Sequence, residues 1–173
     1  MKRVVDHKLD NPAWNSLSEI HREFAVDSHT SKFYHPDCCP FGGTTDLTGC
    51  EDDLEKYSTL VENFFMIGKK PSLPRKLFLK NELVCLQMII DTTINLSMKS
   101  KIVALKQEHR DALYDLVNLV QPGYFKKKTA LLGDYFGIFD NNQLIAVTGE
   151  RMKMKDFTEV SAVITRPGPE LIQ

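Results

Sequence analysis

Between Tyr124 and Pro167 the chain reads YFKKKTALLGDYFGIFDNNQLIAVTGERMKMKDFTEVSAVITRP, three strand-like segments on two short connections. Residues 136–139 (FGIF) are apolar, and Asp140, Asn141 and Asn142 form a turn cluster. Residues 143–148 then return as a second strand. Asn and Asp tolerate the left-handed backbone that a tight hairpin needs, which gives this turn a mechanism. A second connection at 153–156 leads into residues 158–164, which are rich in β-branched side chains. Three successive antiparallel strands are the frame on which the remaining segments must pack.

Strand alternation assigns faces within the last of these segments. Glu159, Ser161 and Val163 share one face, and Val160, Ala162 and Ile164 share the other. A carboxylate on a central sheet face is costly unless it is paired or used. Arg151 on the neighbouring strand is a ready partner, so Glu159 reads equally as half of an ion pair or as a group for chemistry.

The segments before the meander supply helices. Asn11 is a good N-cap, Pro12 suits the first helical position, and Trp14, Leu17, Ile20 and Phe24 fall on one face. A second helix is expected over 51–66, acidic in its first turn. The prolines and glycines of residues 32–43 (KFYHPDCCPFGG) argue against a regular element, while its aromatics ask for burial. That stretch reads either as a loop lining a cleft or as a buried connection. Residues 77–79 predict a short strand, and residues 83–90 (LVCLQMII) a strand buried on both faces. Residues 91–99 are polar and mark a boundary. A strand over 101–105 and a helix over 108–120, with Ala112, Leu113, Leu116, Val117 and Val120 inward, lead to the meander. We therefore expect two parts, 1–98 and 99–173, that share one sheet.

Composition excludes several function classes. A net charge of -1 gives no basic field for nucleic acid. No apolar run approaches the roughly 20 residues of a bilayer span, and the N-terminus lacks the apolar core of a secretory signal. These features predict a cytoplasmic protein that binds neither nucleic acid nor membrane. Cys38, Cys39, Cys50 and Cys85 do not form a disulfide framework by count or density. A zinc site from His35, Cys38, Cys39 and Cys50 lacks the spaced CxxC pair that tetrahedral ligation favours, so no metal is expected. Nor is there a GxSxG, HExxH, GxGxxG or Walker motif.

The phrases YFGI, GERM and TEVSAV, followed by Arg-Pro, resemble the central meander of the GNAT superfamily of acetyltransferases. LDNPAW near the start and YHPDCCPF after it match the same branch, so the resemblance spans most of the chain. It implies an α/β (mixed α+β) fold with a largely antiparallel sheet and flanking helices. It also implies acetyl transfer from acetyl-CoA to an amine, small molecule or peptide, whose identity stays open. By position, the backbone of Val163, Ile164 and Thr165 matches the stretch that pairs with the pantetheine arm as an added strand would. A general base must take the amine proton, and Glu150 and Glu159 are the candidates. Superfamily members continue into a glycine-rich loop opening a helix, which holds the cofactor pyrophosphate. Here Thr165 is followed by RPGPELIQ, so the C-terminal part of the fold is expected to be missing and catalysis impaired. A non-catalytic remnant or interaction module is the alternative, and the exposed last strand predicts a homodimer at 158–164 or the tail.

Overall fold

The computed structural model describes residues 4–92, 94 and 100–168. The last residues of the chain, 169–173, and most of the 93–99 boundary lie outside them. Helix α1 (Pro12–Ser18) begins as its sequence requires: the Asn11 side chain accepts the Trp14 N–H, and Pro12 occupies the first turn. The same Asn11 amide donates to the Thr44 carbonyl at 2.7 Å, pinning the helix start to a strand. Gly43 makes that approach possible, since a Cβ there would sit 2.4 Å from Asn11 Oδ1. The helix is shorter than the apolar spacing predicts. His21 N–H takes the Ser16 carbonyl and Arg22 takes that of Ser18, and the chain turns away before Ile20, which is left exposed.

Strands β1 (Ala25–Asp27), β2 (Ser31–Tyr34) and β3 (Phe41–Thr44) run antiparallel in sequence order. Residues 32–43 therefore hold two strands around a turn, a correction to the expected irregular loop. Its prolines, Pro36 and Pro40, lie in the turn between the strands, where no ladder N–H is needed.

Helix α2 (Glu51–Ser58) is half the expected length. The hydroxyls of Ser58 and Thr59 donate back to the Glu55 and Lys56 carbonyls, competing with helix propagation. The apolar residues beyond them instead form β4 (Phe65–Met66), parallel to β3. Asp53, in the acidic first turn, is buried and accepts from Ser28 Oγ, Thr30 N–H and Thr30 Oγ1, so it braces the β1–β2 turn.

The expected strands at 77–79 and 83–90 do not form. Residues 77–91 run without strand pairing, turn or bend, and Val84, Leu86 and Met88 are 93%, 94% and 93% exposed. Among the described residues no strand pairs with them; Leu77 packs on the core of Phe33, Leu54 and Tyr57, and the apolar residues from 83 to 90 stay exposed.

The second half follows its sequence closely. Strand β5 (Val103–Ala104) precedes α3 (Arg110–Val120), whose Leu113, Leu116 and Val117 are buried, while Ala112 and Val120, expected on the same stripe, are exposed at its margins. Strands β6 (Tyr135–Asp140), β7 (Gln143–Lys153) and β8 (Thr158–Thr165) form the meander. Asn141 and Asn142 both take positive φ, 45° and 65°, as a two-residue hairpin turn demands. Among the described residues the strands form two four-stranded sheets, β1–β2–β3–β4 and β5–β6–β7–β8, rather than the single shared sheet expected.

Side chains join the halves. Ala13, Leu17, Tyr34, Cys38, Cys39 and Phe41 share one core with Leu132 and Met152. A second core lies between α3 and the meander, with Leu116, Val117, Tyr135, Val147 and Ile164. The turn carrying Cys38 and Cys39 is thus the buried connection of the two readings. The Asp37 carbonyl accepts the Lys128 N–H, the Cys38 carbonyl accepts the Thr129 hydroxyl, and Lys128 Nζ pairs with Asp37 at 3.0 Å.

Candidate functional site

The alternation of β8 breaks in its middle. Val147 pairs with Ile164 and Gly149 with Ser161, so β8 has one residue more than β7 over this span. Ala162 absorbs it with φ at 50°, in the left-handed region that a residue with a Cβ rarely enters. The extra residue corrects the face assignment made from sequence. Ile164 turns into the core with Val147, while Val163 turns outward. Nothing in TEVSAVIT signals this, because it contains no Gly or Pro.

Ser161 and Ala162 border a cavity of about 30 Å³ between β8, the C-terminal end of α3 and the residues that follow it. Tyr124, Phe125, Tyr135 and Arg151 close the other sides. The volume is that of about one water molecule, or of one small functional group. Gly149 lets Tyr135 lie flat across this part of the sheet, since a Cβ there would fall 2.2 Å from the ring.

Arg151 dominates the electrostatics. Its guanidinium meets Glu159 in a two-pronged contact, Nε to Oε2 at 3.0 Å and Nη2 to Oε1 at 2.5 Å. It also lies 4.4 Å from the centre of the Phe41 ring, a cation–π contact to the other half of the molecule. Phe41 in turn stacks on Tyr124. Burial works against the Arg151 charge, and the Glu159 carboxylate more than offsets it, keeping the guanidinium protonated.

Glu150 stands elsewhere. It pairs across the sheet with Val160, so its side chain leaves the face opposite to that of Glu159. Its carboxylate accepts the Asp134 N–H at 3.0 Å and the Lys153 ammonium at 2.7 Å. Partial burial opposes its charge, but those two donors outweigh burial and hold its carboxyl below the usual range. The two glutamates proposed from sequence are therefore not brought together, and each already has a cationic partner.

Val163, Ile164 and Thr165 lie just past the bulge. Strand β8 is the last of its sheet, and among the described residues nothing pairs with its outer edge. Val163 is 74% exposed, Thr165 is exposed, and the Ile164 side chain is buried in the core. Only backbone groups and outward side chains of this stretch can meet a ligand.

No protein-family model and no curated protein sequence matches the chain. A solved structure does. The crystal structure of an acetyltransferase from the GNAT family of Novosphingobium aromaticivorans superposes with a TM-score of 0.74 at 26% identity, over 96% of this chain and 74% of that one. The chain is a member of the GNAT superfamily. Its mixed, largely antiparallel α/β architecture is the GNAT fold.

One polar group of this GNAT chain was not foreseen from sequence. His21 Nδ1 lies 3.1 Å from Ser16 Oγ and 2.9 Å from the Tyr34 hydroxyl, all three buried. Burial pulls the imidazole down to about 4, so it is neutral at pH 7. Burial also pushes the thiols of Cys38 and Cys39 up, and they are inert packing groups. Among the described residues no three potential metal ligands come together, and no helix is long and apolar enough to cross a membrane.

Proposed function

We propose that the protein transfers the acetyl group of acetyl-CoA to an amine, with the thioester arm laid along the outer edge of β8 at Val163, Ile164 and Thr165. The observation that carries this is the β8 bulge. It sits on the unpaired outer edge of its sheet beside a small cavity of mixed aromatic and polar lining, on a fold shared with an acetyltransferase of the GNAT family. Acetyl-CoA is a substrate in this reading, and the edge fits an extended arm with amide groups. In the reaction the amine nitrogen attacks the thioester carbonyl, the C–S bond breaks, the thiolate takes up a proton, and the amine loses one to a base.

The division into parts at 1–98 and 99–173, and a cytoplasmic location, belong to the same proposal, as does pairing with a second copy. Glu159 and Glu150 are the carboxylates nearest the cleft in sequence terms. Glu159 is the better placed, on the cavity side with Arg151. Its ion pair would have to loosen, or a solvent molecule relay the proton, before it could act. That engagement favours a second reading, a non-catalytic module that holds a ligand or partner at β8 without turnover.

Isothermal titration with acetyl-CoA, followed by an acetyl-transfer assay on a panel of amines, separates the two. Binding and transfer, both lost on Val163→Pro, support the enzyme. Binding without transfer supports the module, and no binding removes the acetyl-CoA reading.

A further inference from the structure

Three polar side chains that border the cavity beside β8, Gln121, Tyr124 and Ser161, hydrogen-bond to no other group among the described residues. Arg151 is the one charged residue of the described lining. Ser161 and Glu159 leave β8 on one face, two residues apart, and Arg151 stands beside Glu159 on β7. Neither charged side chain is sealed in, at 20% exposed for Arg151 and 29% for Glu159. The site therefore offers a positive end, a negative end and three neutral hydrogen-bonding groups, just ahead of the edge proposed for the thioester arm.

We propose that this site takes an acceptor amine that is itself a zwitterion, a free α-amino acid, with its carboxylate on Arg151 and its ammonium on Glu159. The inference rests on the acetyl-transfer reading above and names the acceptor class that reading leaves open. Charge decides among amines. The Arg151–Glu159 pair is neutral as a unit, so a lone carboxylate entering beside it is repelled by Glu159, and a lone ammonium by Arg151. A zwitterion presents each charge to its opposite. Size agrees, because a cavity of about 30 Å³ receives a carboxylate and leaves the rest of the amino acid outside. Ser161, Tyr124 and Gln121 are then further donors to the carboxylate oxygens. The same arrangement removes the obstacle of the ion pair. Glu159 takes one proton from the ammonium and loses its charge, while the acceptor carboxylate becomes the counter-charge of Arg151. The neutral nitrogen attacks the thioester carbonyl, the C–S bond breaks, and the nitrogen's second proton passes to the thiolate. A simple amine or a peptide N-terminus lacks the carboxylate and leaves Arg151 without a counter-charge in this step.

L-Alanine, L-alaninamide and ethylamine share a primary amine and differ in the carboxylate. With acetyl-CoA, kcat/KM for L-alanine is expected to exceed that for the other two by at least about 100-fold. Arg151→Lys keeps the charge but loses the planar fork, and is expected to erase the preference. Gln121→Ala with Ser161→Ala, a milder change that leaves the ion pair intact, is expected to raise KM for L-alanine about tenfold. A second readout needs no transfer. Without acetyl-CoA, L-alanine is expected to shift the backbone amide resonances of Ser161 and Ala162 in the wild type and not in Arg151→Lys. Such shifts with no transfer to any amine leave the amino-acid site standing and remove the enzymatic reading. Transfer that does not favour L-alanine, a preference that survives Arg151→Lys, or the absence of both transfer and shifts with L-alanine overturns the proposal.

Discussion

Ser16 and Lys153, 137 positions apart in sequence, are joined through one hydroxyl and both backbone groups of the lysine. The Ser16 hydroxyl donates to the Lys153 carbonyl at 2.9 Å and accepts the Lys153 N–H at 3.1 Å. Helix α1 of one half thereby closes the end of β7 in the other. Ser16 is fully buried, so removing its hydroxyl leaves the Lys153 N–H and carbonyl without this partner at a packed contact.

Ser16→Ala is accordingly expected to cost about 2–3 kcal/mol in urea unfolding. Ser18, two residues on, has a buried hydroxyl without a partner in the structure. Ser18→Ala is expected to be neutral or slightly stabilising. Equal effects at the two sites would mean that the Lys153 contact contributes nothing.

Stability should fall with acid through His21. An unfolded histidine titrates near 6.5, whereas burial places His21 at about 4 in the folded protein. The unfolded chain therefore takes up the proton first as pH drops. The contribution is whole above pH 6.5, declines between 6.5 and 4, and levels off below 4. Its size is about 3 kcal/mol. Urea titrations across that range check it, and His21→Gln should flatten this part of the curve.

Breaking the Arg151–Glu159 pair from one side should cost more than removing both partners. Glu159→Gln leaves a largely buried guanidinium without its counter-charge, expected to lose about 2 kcal/mol. The double substitution Arg151→Met with Glu159→Gln should recover part of that loss. A loss of transfer in Glu159→Gln that exceeds its loss in stability, with the pH profile shifted, would mark Glu159 as the base.

Ala162 stores backbone strain at the centre of the candidate site. Ala162→Gly removes the Cβ from a left-handed position and is expected to stabilise by about 1 kcal/mol. Ala162→Val should destabilise by at least as much. Thermal unfolding of the two variants measures it.

What could be read in the sequence was local. The Asn11 cap, the Asn141–Asn142 turn and the centre of the α3 stripe each rest on a few neighbouring residues, and each formed, with only Ala112 and Val120 of the stripe left exposed. Arg151 was recognised as a partner of Glu159 because adjacent strands put them within reach. The misses needed distant residues. Helix α2 gave up Phe65 and Met66 to a strand because β3 offered them an edge. Apolar content suggested a buried strand at 83–90, but burial depends on a neighbour that a periodicity cannot name. The burial of His21 and Asp53 rests on partners that lie on other elements, which no local pattern names.

Edge-to-edge growth of a β-sheet requires every new strand to meet the same pleat as the last. At Ala162 the pleat slips by one residue, so a guest in step with Thr158–Ser161 is out of step with Val163–Thr165. Strand β8 can host a short visitor on either side of that slip, but it offers no continuous template for a full-length one. The same residue that shapes the cleft thus keeps an open apolar edge from seeding fibres.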